Sequence, residues 1–421
     1  MRRSATLGLA MLLFACQALV ACGGQTLRVY NPSGVRQDGA HVDTLLKAAM
    51  VDMGLSKPPL ADQFPKGSAE KMRVARDAQA EISDLFYRRG WSDGLPIVPP
   101  TPERVQAMLR GTDLPPEQVI GVLEPMRGQA TVEKVAVNAV MAGCRPEHLP
   151  IIIAAVEAIV DPAFNLLGVQ TTDESVTPLL IIGGPVAQEL EVNGSFGALG
   201  PGWQANACIG RALRLVMNNI GGAWPGVNCP AGLAQPGRYT LCLTENVAQS
   251  PWPSLQMELG YPKNANILTV MRAESVINVT GGLPELASVM GSLASAFAAR
   301  SGGQVAVIVA PWVAQELAAQ GWQKDHVRAY LYERGRISLE EWRGSWGFPK
   351  TGVPDWAGEA AAAGFIPAVR SPQNITVLVA GGHFSIPQLA YLPTWGEACQ
   401  ITKEITLPAR WDELLAAREK E

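Results

Sequence analysis

Apolar positions along this chain fall into two kinds of run that alternate, helical stripes and short unbroken blocks. From Ser68 to Arg89, the residues Met72, Val74, Ala75, Ile82, Leu85 and Phe86 recur at helical spacing. Leu95 to Pro100 must be extended, because each proline restricts the residue before it. Thr101 with Pro102 then reads as a helix start. Val119 to Leu123 is β-branched and predicts a strand, while Thr131 to Met141 and Pro146 to Val160 predict helices. The blocks "LLGVQTT" and "TPLLIIGGP" predict buried strands ending at polar or glycine-rich loops. A helix over Gln204 to Asn219 follows "NGSFGALGPGW". Further strands are predicted in "RYTLCLTEN", "NILTVMRAESVINV", "QVAVIVAP" and "NITVLVAGGHF". Helices are predicted over Pro284 to Ala299 and, in one or two pieces, over Val313 to Arg334, with a Gly/Pro/Trp-rich connection over 344–372. This alternation predicts an α/β protein with a mixed or mainly parallel sheet and flanking helices. Two lobes, 66–225 and 226–421, fit the order of elements, with no internal repeat evident to mark them.

Composition narrows the classes. The 421 residues are 48% apolar and 17% charged, which suits a packed globular chain rather than a disordered one. A formal charge of −4, with no basic stripe among aromatics, argues against nucleic acid as a partner. Met1-Arg2-Arg3 followed by the apolar run Ala5 to Val20 reads as an export signal. Leu19-Val20-Ala21-Cys22 then resembles a lipoprotein processing box. On that reading residues 1–22 are the signal, Cys22 carries the lipid, and 23–65 is a tether; the membrane is met only through that anchor. The alternatives are a single spanning helix, or a cytoplasmic chain whose true start is Met50 or Met53. Five of the seven cysteines then remain, an odd number without any CxxC, and Cys229 with Cys242 is the pair best spaced for a bridge.

Cys144 carries the sharpest chemical expectation. It stands in "AGCRPEH", between a helix ending at Gly143 and another beginning near Pro146. The N-cap of that second helix falls on Cys144 or Arg145, and a thiol at such an N-terminus, with charge from Arg145 and His148, meets the conditions that make a nucleophile. The plainer alternative is a small residue filling a tight corner. Glu133, Lys134 and Asn138 stand on the preceding helix, and Glu124 and Arg127 at the strand end before it. The second candidate is the loop with Gly194, Gly197, Gly200 and Gly202, which runs through Trp203 into a helix bearing Asn206, Arg211 and Arg214. Glycines allow close backbone approach and helix N-termini hold anions. The spacing fails both the phosphate loop and the dinucleotide fingerprint. Two further strand ends carry polar groups, Gln170 with Thr171, and Glu245 with Asn246. His41, His148, His326 and His383 show no metal-ligand spacing, although His383 follows a strand in a candidate loop. GxSxG is absent, so no hydrolase serine elbow is present, and no cofactor is indicated.

Three blocks carry a resemblance: "GWSDGLPIVPPTPERVQAML", "ATVEKVAVNAVMAGCRPEHLPIIIAAVEAI" and "GALGPGWQANACIGRALRLVMNNIGGAWPG". Together they resemble a bacterial family encoded beside, or fused to, UGSC-motif (seleno)proteins. The resemblance runs from about Ser83 to the C-terminus. It implies thiol- or selenol-linked chemistry on a small molecule, with a UGSC-type protein as a partner. Two segments depart from the family pattern, "VINVTGG" from Val276 and "AGGHFSIP", where histidine-bearing motifs stand in the family.

The leading expectation is therefore an enzyme in which Cys144 attacks a small carboxylate-bearing substrate. The Gly194–Gly202 loop and Arg211 would hold its anionic group, with Glu124, Arg127, Glu133 or Glu245 as proton-transfer and orienting candidates. The alternatives are a lipid-anchored anion-binding protein without turnover, and a partner subunit for a UGSC-type protein.

Overall fold

The computed structural model describes residues 25–30, 32, 69–74, 78–383, 386–396 and 400–418. The signal segment, Cys22, most of the expected tether and Cys399 lie outside the described residues. The protein is α/β, with mixed sheets flanked by helices. Two antiparallel strand pairs come first, β1 (Gln25–Tyr30) with β2 (Ala69–Val74), and β3 (Val119–Leu123) with β4 (Gly128–Thr131).

Two four-stranded sheets form the centre. The first runs β14 (Ile401–Glu404), β7 (Ile267–Ala273), β5 (Thr177–Gly183), β6 (Cys242–Thr244); only β5 and β6 are parallel. The second runs β12 (Ile375–Val379), β9 (Val305–Val309), β13 (Gln388–Leu392), β8 (Ile277–Thr280), with only β12 and β9 parallel. The remaining two strands, β10 (Arg336–Ser338) and β11 (Phe365–Pro367), pair by themselves.

Strand alternation explains how these sheets stack. In β5, Leu180 and Ile182 point into one core and Leu179 and Ile181 into another. In β9, Val305, Val307 and Val309 face a third core, while Ala306 and Ile308 join the residues of β5. The two sheets thus pack face to face through Leu179, Ile181, Leu243, Met271, Ile308 and Leu378. Helices cover both outer faces, giving four layers. Over the first sheet lie α2 (Leu149–Ile159) and α3 (Gln204–Asn219), with α1 (Val132–Ala142) packed against both. Over the second lies α4 (Lys324–Arg334), with Leu283–Met290 and Pro311–Ala319. Strands buried on both faces must read as continuous apolar runs, and "PLLIIG" and "VAVIV" do.

The two sheets share one arrangement. A central strand (β5 or β9) has a parallel edge neighbour (β6 or β12) and an antiparallel central neighbour (β7 or β13). Each of β5 and β9 is followed by a proline-started helix carrying "VAQEL", at Val186–Leu190 and Val313–Leu317. The fourth strand is permuted: β8 precedes its sheet in the chain, whereas β14 returns from near the C-terminus. The expected division at residue 225 therefore falls inside the first sheet, with β5 before it and β6, β7 and β14 after it.

Local differences from the sequence reading have local causes. "LLGVQT" is a helix, Leu166–Thr171, not a strand. Asn165, at φ 55°, accepts from the Gly168 N–H and caps it, and Leu166, Val169 and Gln170 are buried at helical spacing. The helical reading from Ser68 holds over Ala78–Arg88, but Met72 and Val74 lie in β2; its partner β1 lies within the expected tether. The helix expected over Pro284 to Ala299 breaks after Met290 at Gly291, and Ser292 caps a new turn. No single helix among the described residues is long and apolar enough to cross a membrane.

Candidate functional site

Cys144 does not sit at a helix N-terminus. Gly143, at φ 83°, ends α1, and the Cys144 N–H donates back to Ala139 O at 3.0 Å. This places the thiol at the carbonyl-rich, negative end of α1. Arg145 instead occupies the N-cap of the following turn, its N–H donating to His148 Nδ1. Burial is the main reason the Cys144 pKa is raised well above that of an ordinary thiol, with the neighbouring Cys208 thiol adding to it. Burial also holds His148 neutral, its pKa brought down to about 3. The expected nucleophile is thus placed against thiolate formation.

Of the expected site residues, Gly194, Trp203, Glu245 and Asn246 share one cavity, while the others are dispersed. Glu124 and Arg127 pair with each other at 2.7 Å beyond β3, and Gln170 Nε2 donates to Glu124 O. Thr171 donates to Leu167 O, and Glu133 lies in the first turn of α1. Asn138 is fully buried; its Oδ1 accepts from Asn219 Nδ2 at 2.7 Å, and its Nδ2 donates to Lys134 O. Asn206 ties the glycine loop to β6 through Asn193 and Cys242 O. Gly197 and Gly202 have positive φ with open space around them, and Gly200 closes a turn onto Gly197 O. Arg211 is not an anion clamp. Its Nε and one Nη hold Asp93 at 2.8 Å each, and the same Nη reaches the Leu95 and Pro96 carbonyls. His383 is exposed beyond β12.

Among the described residues, two cavities of small-molecule size bear on the expected site groups. One, of about 390 Å³, lies at the carboxyl ends of β5 and β6 and is lined by Trp203, Glu245 and Asn246 together with Gly194. Three of its polar side chains are already paired. Glu245 accepts from Leu255 N, Val379 N and Lys324 Nζ; Asn246 Nδ2 bonds Gly381 O; Gln256 bonds Pro262 O and Ala265 O.

The other, of about 590 Å³, lies between α3, the 87–93 segment and the loop 223–239. Its walls include Cys229, Arg238, Arg214, Asn218, Asp93 and Trp224. Arg238 Nη1 donates to Cys229 Sγ at 2.8 Å, and Nη2 donates to Glu174 O at 2.9 Å. Arg214 anchors through Nε to Arg238 O and through Nη2 to Thr177 Oγ1. Burial, and after it the Arg238 charge, bring the Arg214 pKa down to about 10, while Cys229 opposes them. The Asn218 Oδ1 and Arg238 Nε atoms are buried without a partner, and such atoms in a native fold call for a ligand or water. Since Asp93 is neutralised by Arg211, the cavity is cationic, with one thiol in its wall. Cys229 and Cys242 are both free, so the bridge suggested by their spacing is not formed; Cys242 faces the core under α3.

Gln235 fastens the cavity loop to the sheet by donating to Ser175 O and Ala273 O. Glu274 and Glu174 meet close to it. Burial first, then the hydrogen bond and charge of Glu174, push the Glu274 pKa from 4.5 up to about 8. A carboxyl raised in the folded state contributes stability that is full below its unfolded pKa and lost as pH rises through the folded one. The loss is at most about 1.4 kcal/mol per pH unit, less for solvent screening of this partly exposed group. Urea midpoints should therefore fall between pH 6 and pH 8.5 in the wild type and fall less in Glu274→Gln. Equal slopes in the two proteins would show that the carboxyl pair does not share a proton.

Neither models of known protein families nor curated proteins give a match to this chain. Among the described residues no cluster of His, Cys, Asp and Glu could hold a metal ion. Sequence reasoning passed over Cys229 and Asn218 as site residues and took Arg214 only as a companion of Arg211. One signal was present: Arg214 and Asn218 share a helical face, and "WPGVNCP" places a thiol in a glycine–proline loop soon after that helix.

Proposed function

We propose that this protein is an enzyme acting on a small carboxylate-bearing molecule by thiol-dependent chemistry at the Cys229 cavity. The observation that carries the reading is the guanidinium of Arg238 at 2.8 Å from the Cys229 sulfur, in a cavity that also holds Arg214. An anion entering this space meets two cations, and guanidinium groups are suited to carboxylate oxygens. Binding it there brings its carbon skeleton against the thiol, which converts a bimolecular attack into a positioned one. Arg238 also stabilises negative charge on sulfur as a bond to it forms or breaks. Asn218 Oδ1 supplies an acceptor for a hydroxyl or amino group on the same molecule. The Met1–Cys22 pattern supports placing this chemistry outside the cytoplasm on a lipid anchor.

Charge-steered alkylation tests the reading. Iodoacetate carries the carboxylate and iodoacetamide does not, while both label thiols. Peptide mass spectrometry should show Cys229 labelled faster by iodoacetate, with a rate that saturates and is slowed by unreactive small carboxylates. Equal or slower labelling by iodoacetate would refute the anion site. A Cys229 that resists both reagents while small carboxylates still bind would leave a binding protein without turnover.

A further inference from the structure

Outside that cavity the molecule holds a second pair of sulfurs. Cys144 follows the end of α1, and Cys208 lies early in α3, the two helices being packed against one another. The two thiols are close enough for each to shift the pKa of the other. The Cys208 sulfur lies 3.6 Å from where a Cβ on Gly143 would stand, next to Cys144 in the chain. Both residues are partly exposed, although the Cys144 sulfur itself is desolvated, whereas Cys229 and Cys242 are buried as whole residues. Arg145, and Arg211 even while paired with Asp93, stand near enough to favour a thiolate at Cys208.

We infer that Cys144 and Cys208 form an oxidisable dithiol that a hydroperoxide closes to a disulfide, stapling the corner after α1 to α3. The two sulfurs have distinct parts. The neighbouring Cys144 thiol lowers the Cys208 pKa, burial opposes this, and Arg211 and Arg145 lower it further. Cys144, raised chiefly by burial, keeps its proton. In the first step the Cys208 thiolate attacks the peroxide: an S–O bond forms, the O–O bond breaks, and the departing oxygen takes a proton to leave as an alcohol or water. Cys208 is then a sulfenic acid. In the second step the Cys144 sulfur attacks Cys208, and its proton leaves with the sulfenic hydroxyl as water. One hydroperoxide is reduced by two electrons, and the two thiols supply them. The staple lies about one helical turn from Arg211, whose grip on Asp93 fixes a wall of the Cys229 cavity. The inference does not depend on the function proposed for that cavity.

Stoichiometric hydrogen peroxide on the reduced full-length protein is the test, with free thiols alkylated afterwards and peptides read by mass spectrometry. The 144–208 disulfide should form about tenfold or more faster than Cys229 or Cys242 is oxidised. Cys144→Ser should halt at a Cys208 sulfenic acid that dimedone traps. The idea is overturned if Cys144 and Cys208 stay reduced while other thiols oxidise. It is equally overturned if Cys144 joins Cys242 instead, or if the wild type accumulates sulfenic acid without cross-linking. Should Cys144→Ser fail to fold, the wild-type peptide pattern alone decides.

Discussion

Lys324→Met lowers the stability of the protein by about 3–5 kcal/mol, the usual cost of stranding one member of a buried ion pair. Lys324 and Glu245 are both almost fully buried, with Nζ at 3.2 Å from Oε1. Glu258, the second partner of Lys324, keeps Arg328 at 2.8 Å and is not stranded. Glu245 keeps only the Leu255 and Val379 N–H groups, which join the end of β6 to β12 in the other sheet. Burial already raises the Glu245 pKa, with Lys324 and those hydrogen bonds opposing it. Removing the lysine raises it further. The deficit is therefore smallest at acid pH, where the carboxyl is protonated in both states, and grows as pH rises towards the folded pKa. Urea unfolding at several pH values measures this, and Glu245→Gln combined with Lys324→Met should recover much of the loss. A single variant within about 1 kcal/mol of wild type, the range of exposed pairs, would show that the pair is solvated.

Arg238→Gln removes the preference of Cys229 for a charged alkylating reagent by about ten- to a hundredfold. A charge-assisted hydrogen bond is worth about 1.5–3 kcal/mol, and each 1.4 kcal/mol is tenfold. Labelling by uncharged iodoacetamide should change much less, which separates loss of the anion site from general disturbance of the loop. Arg238→Lys keeps a charge but loses the fork that reaches both Cys229 Sγ and Glu174 O, so it should recover only part of the preference. An unchanged iodoacetate preference in Arg238→Gln would transfer the anion-holding role to Arg214 alone.

Of the two N-cap positions the sequence allows, Cys144 or Arg145, the fold takes Arg145, for a reason that no local pattern reveals. "GCRP" specifies both the end of one helix and the start of the next, and a single backbone hydrogen bond decides which terminus the thiol belongs to. Because Cys144 N bonds Ala139 O, the dipole acting on it has the opposite sign from the one expected. Arg211 was legible as a cation on a helix face, but its partner Asp93 lies 118 residues away, and only the folded chain brings them to 2.8 Å. Cys229 reads in sequence as one more loop cysteine. It becomes a site candidate through Arg238, nine residues on, and through Arg214 across the cavity.

The sequence by itself determined the elements whose burial is uniform or strictly periodic. The helix over Gln204–Asn219 matches its predicted bounds, and β5, β9 and β12 fall within their apolar blocks. It determined the α/β class for the same reason, since period and apolarity are local properties of the chain. Only the tertiary structure decided that the strands divide into two equivalent sheets stacked face to face, because β14 crosses from the far end of the chain to complete the first. Tertiary structure alone also decided which charges cancel and which remain. Arg211 is spent on Asp93 while Arg214 and Arg238 are left facing a thiol, and the choice was made by packing between residues that no sequence window contains together.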